Sequence, residues 1–207
     1  LQLRAFLPDE RTVVLDTRDL DIQAVRVALE GEEPQSAEWR LGTPAPPLGR
    51  PLEIDLPRGF DPQGGFRLAI DYRTSPGASA LQWLEPAQTD GGKHPYLFSQ
   101  CQAIHARSVI PSQDTPLARF TFDCRFTVPE ELTVVMAAAP GDVAAADRAG
   151  HRTFTFAMPQ SIPPYLFAFA VGNIVAQDLG PRSTCYTEPE MMEKSAWEFA
   201  EVDRMLL

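Results

Sequence analysis

Between Phe120 and Val128 apolar and polar residues alternate without a break, Phe120, Phe122, Cys124, Phe126 and Val128 against Thr121, Asp123, Arg125 and Thr127. A period of two sends successive side chains to opposite sides of an extended chain, so this stretch predicts a strand with one face on a core and the other in water. The same alternation runs through Phe66–Tyr72 and Thr153–Met158, while Thr12–Leu15, Val25–Leu29 and Leu132–Met136 read as shorter strands. Reversals are expected where glycine, proline and acids cluster, at 31–34, 61–65, 75–77, 90–92 and 140–142. Twenty prolines in 207 residues tell against a helical architecture, because an interior proline costs a helix about 3 kcal/mol. Many short strands with frequent turns imply an antiparallel sandwich or a large curved sheet.

The Pro-rich stretch Thr43–Pro51 reads as a surface loop between strands rather than a domain linker. One helix is expected, at the C-terminus. Thr187-Glu-Pro-Glu190 has the spacing of a capping box, and Met192, Ala196, Phe199 and Leu206 follow along one face with Trp197 and Val202 beside it. The first residues read as the middle of a strand and the last as an uncapped helix, which gives the expectation of an excerpt from a longer protein. One domain is the default for this length. The boundary is placed so that 1–186 form a β domain and 187–207 begin a helix leading onward.

Several function classes are disfavoured. A net charge of −10 with dispersed arginines does not suit a nucleic-acid partner, which needs clustered cations. No apolar run reaches the roughly 18 residues of a membrane helix; 161–176 come nearest and are interrupted by Pro163, Pro164, Gly172 and Asn173. Cys101, Cys124 and Cys185 are odd in number and far apart, which favours a reducing, cytoplasmic setting over a disulfide framework. His94, His105 and His151 form no His-Glu-x-x-His pair, and no Cys-x-x-Cys is present, so a zinc site made by this chain is not expected.

The chemistry-bearing residues gather in His94–Arg107 and Pro111–Pro116. A Cys101–His105 nucleophile pair is disfavoured, since residues four apart in an extended chain lie roughly 13 Å apart. Cys101 reads as a buried thiol, and Cys124 and Cys185 as packing. Alternation puts Gln100 and Gln102 on one side and Cys101 on the other, so two amides can face a polar ligand, or else neighbouring loop backbone. Asp114 is expected to make an Asx-type turn or to pair with Arg107 or Arg119. Trp83, between Leu81 and Leu84, reads as a core or interface residue rather than a sugar-stacking platform.

The runs Ser79-Ala-Leu-Gln-Trp-Leu84, His94-Pro-Tyr-Leu-Phe-Ser-Gln-Cys-Gln-Ala-Ile-His105 and Pro111-Ser-Gln-Asp-Thr-Pro116 resemble the N-terminal domain of the leukotriene-A(4) hydrolase branch of the zinc aminopeptidases. Val14–Leu20, Pro164–Gly172, Leu179–Arg182 and Glu193–Phe199 add matches in order, so the resemblance covers nearly the whole chain. It implies an all-β, saddle-shaped, mostly antiparallel, sandwich-like domain with one C-terminal helix. It further implies that Gln100, Cys101, Gln102 and Ala103 line a cleft that receives the N-terminal residue of a peptide substrate. No catalytic residue and no metal ligand carry over. The zinc of the parent enzyme, its His-Glu-x-x-His helix and its catalytic tyrosine belong, by the resemblance, to a catalytic domain of the same polypeptide beyond residue 207. Ser112 stands where relatives often carry cysteine. By this reading the chain alone is inactive, and its partners are peptides and that catalytic domain, with no nucleic acid or membrane. The alternative from another class is a stand-alone, non-catalytic β-sandwich that binds peptides or carbohydrates.

Overall fold

The computed structural model describes residues 2–3, 11–29, 31–57 and 65–206. They are mostly antiparallel strands, and the chain divides into two compact units.

The first unit comprises Leu1–Ala80, Cys101–Ala118 and Pro163–Tyr165. It holds β1 (Gln2–Leu3), β2 (Thr12–Thr17), β3 (Asp21–Ala28), β4 (Gln35–Ser36), β5 (Glu38–Leu41), β6 (Arg50–Asp55) and β7 (Phe66–Arg73). One sheet has the order β1-β7-β3-β4 and the other β2-β6-β5. Leu15, Leu52, Ile54 and Val27 are wholly buried in a core completed by Leu20, Ile22, Val25, Leu56, Phe66 and Leu68. Each such side chain contributes about 1.5–3 kcal/mol on leaving water. Strict alternation would turn Ile22 and Val25 to opposite faces. The register of β3 against β7 slips between Ile22 and Ala24, and this bulge brings both inward.

The loop reading of 43–51 holds only in part. Ala45 and Gly49 bridge across a tight turn, and Arg50 and Pro51 already belong to β6. Proline lacks an N–H, which is tolerated near the start of a strand. Gly49 has φ +91°, and a Cβ there would sit 2.2 Å from the Thr17 carbonyl oxygen, so only glycine fits.

The second unit comprises Leu81–Gln100, Arg119–Ile162 and Leu166–Leu207. Its strands are β8 (Leu81–Leu84), β9 (Tyr96–Ser99), β10 (Phe120–Pro129), β11 (Thr133–Met136), β12 (Ala139–Ala145), β13 (His151–Ile162), β14 (Phe169–Gly172), β15 (Val175–Gly180) and β16 (Ser183–Thr187). They form sheets of order β11-β14-β9-β8 and β10-β13-β12 and the hairpin β15-β16. In β10 every residue of the polar set is exposed and every residue of the apolar set half-buried. Phe122 meets Phe167 at 5.2 Å between centroids and Phe126 meets Phe169 at 4.9 Å, so the apolar face of β10 packs on aromatic rings beside and within β14.

Several local expectations are corrected. Pro140-Gly-Asp142 makes no reversal; it lies inside β12, where the register against β13 slips between Pro140 and Val143 and absorbs the turn-forming residues as an irregularity. The reversal expected at 61–65 falls almost wholly outside the described residues. Trp83 is 54% exposed and is not core, because β8 is the outermost strand of its sheet. The capping box does not form: Thr187 is the last residue of β16, and neither Glu188 nor Met191 makes a side-chain cap. Glu188 instead accepts the Asp90 amide at 3.1 Å.

The C-terminal helical segment is divided into α1 (Met192–Glu198) and α2 (Val202–Met205), with Val202 N bonded to Phe199 O between them. Asp203 on α2 accepts from the Arg182 amide at 2.9 Å and the Ser183 hydroxyl at 3.3 Å. This ties α2 to the β15–β16 turn, a constraint that helical periodicity does not encode.

Candidate functional site

The segment that follows β9 decides where the candidate residues lie. Gln100 ends the second unit's portion of chain and is exposed; Cys101, Gln102 and Ala103 belong to the first unit. Cys101 is 1% exposed, whereas Gln102 and Ala103 are exposed. The extended course that the alternation argument assumed ends at Ser99. From Gln102 the chain turns, closed by the His105 amide donating to the Cys101 carbonyl at 2.9 Å, and a short 3-10 segment, Ala106–Ser108, follows. The peptide between Gln102 and Ala103 is cis. With the turn and the 3-10 segment in place of an extended course, the side-chain period of two does not run through this segment. Cys101 is buried because the turn tucks it inward while its neighbours stay outside.

Cys101 and His105 are consequently closer than an extended chain allows, yet they do not form a nucleophile pair. Burial, and secondarily the charge of Asp114, push the Cys101 thiol up to about 12, so it is protonated at neutral pH and a poor nucleophile. The His105 ring is engaged elsewhere: Nδ1 lies 2.8 Å from the Ser79 hydroxyl and 3.2 Å from an Arg18 guanidinium nitrogen. An arginine N–H can only donate, so Nδ1 is the acceptor and the ring proton sits on Nε2. Arg18 also donates to Ser79 Oγ at 3.0 Å and to the Pro47 carbonyl. Ser108 Oγ donates to His105 O at 2.8 Å and accepts the Ala80 amide at 3.0 Å. The turn is thus tied twice to the Ser79–Ala80 segment.

Beyond the turn a buried ion network fixes 106–114 to β2. Arg107 donates to Asp114 Oδ2 from Nε at 3.0 Å and from its backbone N at 3.2 Å. A second guanidinium nitrogen reaches the Asp114 carbonyl at 2.9 Å, and the third reaches Leu48 O at 3.0 Å and Asp16 Oδ1 at 3.3 Å. Asp16 in turn accepts the Asp114 amide at 2.9 Å. Of the pairings open to Asp114, the one with Arg107 is realised. Ser112 and Asp16 exchange backbone hydrogen bonds. The roles of Asp16, Arg18 and Ser79 went unread in the sequence. The available signal was polar side chains set in apolar surroundings, Asp16 beside Leu15 and Ser79 between Ala78 and Ala80.

Among the described residues no three His, Cys, Asp or Glu side chains come together in a way that could hold a metal ion. Zinc does not fit the residues present, and none of its chemistry is assigned to them. No helix among the described residues is long and apolar enough to cross a membrane.

Residues 3–166 match the peptidase M1 N-terminal domain, and the chain belongs to that family. Among individual relatives, leukotriene A-4 hydrolase of Xenopus laevis is 42% identical over 207 residues, the whole of this chain and 33% of its own length. Leucine aminopeptidase 2 of Aspergillus oryzae is 40% identical over 188 residues, 90% of this chain and 29% of its own. The solved structure of native yeast LTA4 hydrolase superposes with a TM-score of 0.82 at 36% identity, over 98% of this chain and 30% of that one. An M1 zinc metallopeptidase from Deinococcus radiodurans, 22% identical with a TM-score of 0.65 over 89% of this chain and 40% of that one, shares the fold. The chain spans about a third of the length of the curated relatives it matches.

Proposed function

We propose that this chain is the substrate-cleft domain of a zinc aminopeptidase of the leukotriene A-4 hydrolase type, which removes N-terminal residues from peptides in the cytoplasm. The observation that carries this reading is the 42% identity to such a hydrolase across all 207 residues. In this proposal Gln100, Cys101, Gln102 and Ala103 form the recognition segment. The amide oxygens of Gln100 and Gln102, both exposed residues, accept from the α-ammonium group of the peptide, which suits primary amides because they bond without changing charge. Cys101, protonated and enclosed, contributes backbone and packing. The zinc and the groups that act on water lie in parts of the polypeptide outside these residues. The three cysteines, all free, accord with a reducing compartment.

The test is an aminopeptidase assay of the full-length protein on peptides with free and with acetylated N-termini. Turnover of free N-termini alone is expected, abolished by a chelator and restored by zinc. Gln102→Leu should raise KM about tenfold, since a charge-assisted hydrogen bond of this kind is worth roughly that factor. The isolated 207-residue chain should show no turnover. No turnover by the full-length protein, or chelator-sensitive turnover by the isolated chain, would overturn the reading.

A further inference from the structure

We propose that His105 is a positioning residue for peptide recognition, acting through the turn that it closes and with Arg18 and Ser79 as its supports; this rests on the aminopeptidase reading above. The backbone of His105 donates to Cys101 O at 2.9 Å, closing the turn whose exposed corner is Gln102–Ala103. Its ring is half-buried, and Nδ1 accepts from Ser79 Oγ at 2.8 Å and from Arg18 at 3.2 Å. One residue therefore couples the placement of the Gln102 amide to two segments distant in sequence, 26 and 87 positions away.

Arg18 is itself anchored. Its amide donates to Arg107 O at 2.9 Å, its side chain reaches the Pro47 carbonyl, and its Nε is buried without a hydrogen-bond partner. A guanidinium held this way presents a fixed donor, which Nδ1 of His105 shares with the Ser79 hydroxyl. Recognition by a turn depends on sub-ångström placement of its donors, and a loosened support weakens binding before it alters the bond-breaking step. The ring touches neither reacting atoms nor substrate in this scheme.

The experiment compares His105→Leu and His105→Asn in the full-length protein. Asparagine places an acceptor oxygen where Nδ1 stands, whereas leucine removes it. Thermal unfolding and circular dichroism are recorded first. Expected is a KM about tenfold higher for His105→Leu with kcat within about twofold of wild type, and recovery of most of the loss in His105→Asn. A mere structural role would move the two variants' melting temperatures and leave KM alone. An unchanged KM in a folded His105→Leu protein overturns the proposal, as does a failure of folded His105→Asn to recover. If His105→Leu does not fold, Ser79→Ala replaces it, with the same expected rise in KM, and an unchanged KM there overturns the proposal equally. Absence of aminopeptidase turnover in the wild-type protein is a different outcome, which removes the functional reading and this proposal together.

Discussion

Arg107 and Asp114 enclose each other: the guanidinium and backbone amide of one converge on the carboxylate of the other at 3.0 and 3.2 Å, with side-chain exposures of 5% and 1%. Removing two charges from water is costly, and the cost is met here because four donors of Arg107, its backbone amide among them, find acceptors and Asp114 receives three of them, two on its carboxylate and one on its carbonyl. Breaking such a pair leaves an uncompensated charge in a dry site. Arg107→Ala is expected to destabilise the protein by about 3–5 kcal/mol. Arg107→Lys should lose much of this too, because a single ammonium cannot reproduce the fork. Urea unfolding midpoints measure both. A loss below about 1 kcal/mol for Arg107→Ala would show that the pair is screened as a surface pair is.

Ser112 carries the opposite imbalance. Its residue is 5% exposed, and its hydroxyl is buried without a hydrogen-bond partner. A buried, unsatisfied hydroxyl costs about 1–3 kcal/mol. Cysteine has similar volume and a weakly polar thiol. Ser112→Cys should therefore stabilise by about 1 kcal/mol, a rise of roughly 2–4 °C in melting temperature for a chain of this size. A lower melting temperature would mean that the hydroxyl does have a partner in solution, such as an ordered water.

How far the sequence exposes this architecture depends on whether the deciding interaction is local. Phe120–Val128 is legible because one side of β10 meets aromatic rings and the other meets water, and that asymmetry imposes the period of two. β15 is not legible: Val175–Asp178 are all exposed, so nothing forces an apolar face upon it. β12 hides behind Pro140 and Gly141, whose turn chemistry is spent on an irregular register. The candidate segment was legible as a concentration of polar residues, but its shape was not. The turn that buries Cys101 is held by contacts from Arg18 and Ser79 to His105, and the segment after it by Asp16, which lies 91 positions from Arg107 and 98 from Asp114. Spacing within a motif carries no information about such partners.

Gly172 gives a packing prediction inside the second unit. It ends β14 opposite Thr133, and a Cβ placed on it would lie 2.4 Å from the ring of Tyr96. The same ring is half-buried, and burial, then the charge of Glu188, raise the Tyr96 hydroxyl above its ordinary range. A methyl group at 172 meets the ring at its near edge, so the ring or the strand must shift to admit it. Gly172→Ala is expected to cost about 1–3 kcal/mol by overpacking, and Tyr96→Leu in the same background should recover part of it. Equal stability of Gly172→Ala and wild type would show that the ring moves freely.

Cys101 gives a prediction in pH. Its thiol moves from the ordinary value of 9.0 to about 12 on folding, chiefly through burial. The folded protein then holds this proton more tightly than the unfolded chain does. Stability from this group is complete below pH 9, and it is lost as pH rises from about 9 to about 12, where the unfolded thiol ionises first. Two measurements follow. A thiol reagent at pH 8 should label Cys101 only after denaturant is added, because the reactive thiolate is scarce and the sulfur enclosed. The fall in stability between pH 9 and pH 10.5 should be shallower in Cys101→Ala than in wild type, with the two curves parallel below pH 8. Rapid labelling of Cys101 in the native protein would show that the turn opens readily. A Cys101→Ala curve parallel to wild type throughout would show that the thiol titrates alike in the folded and unfolded states.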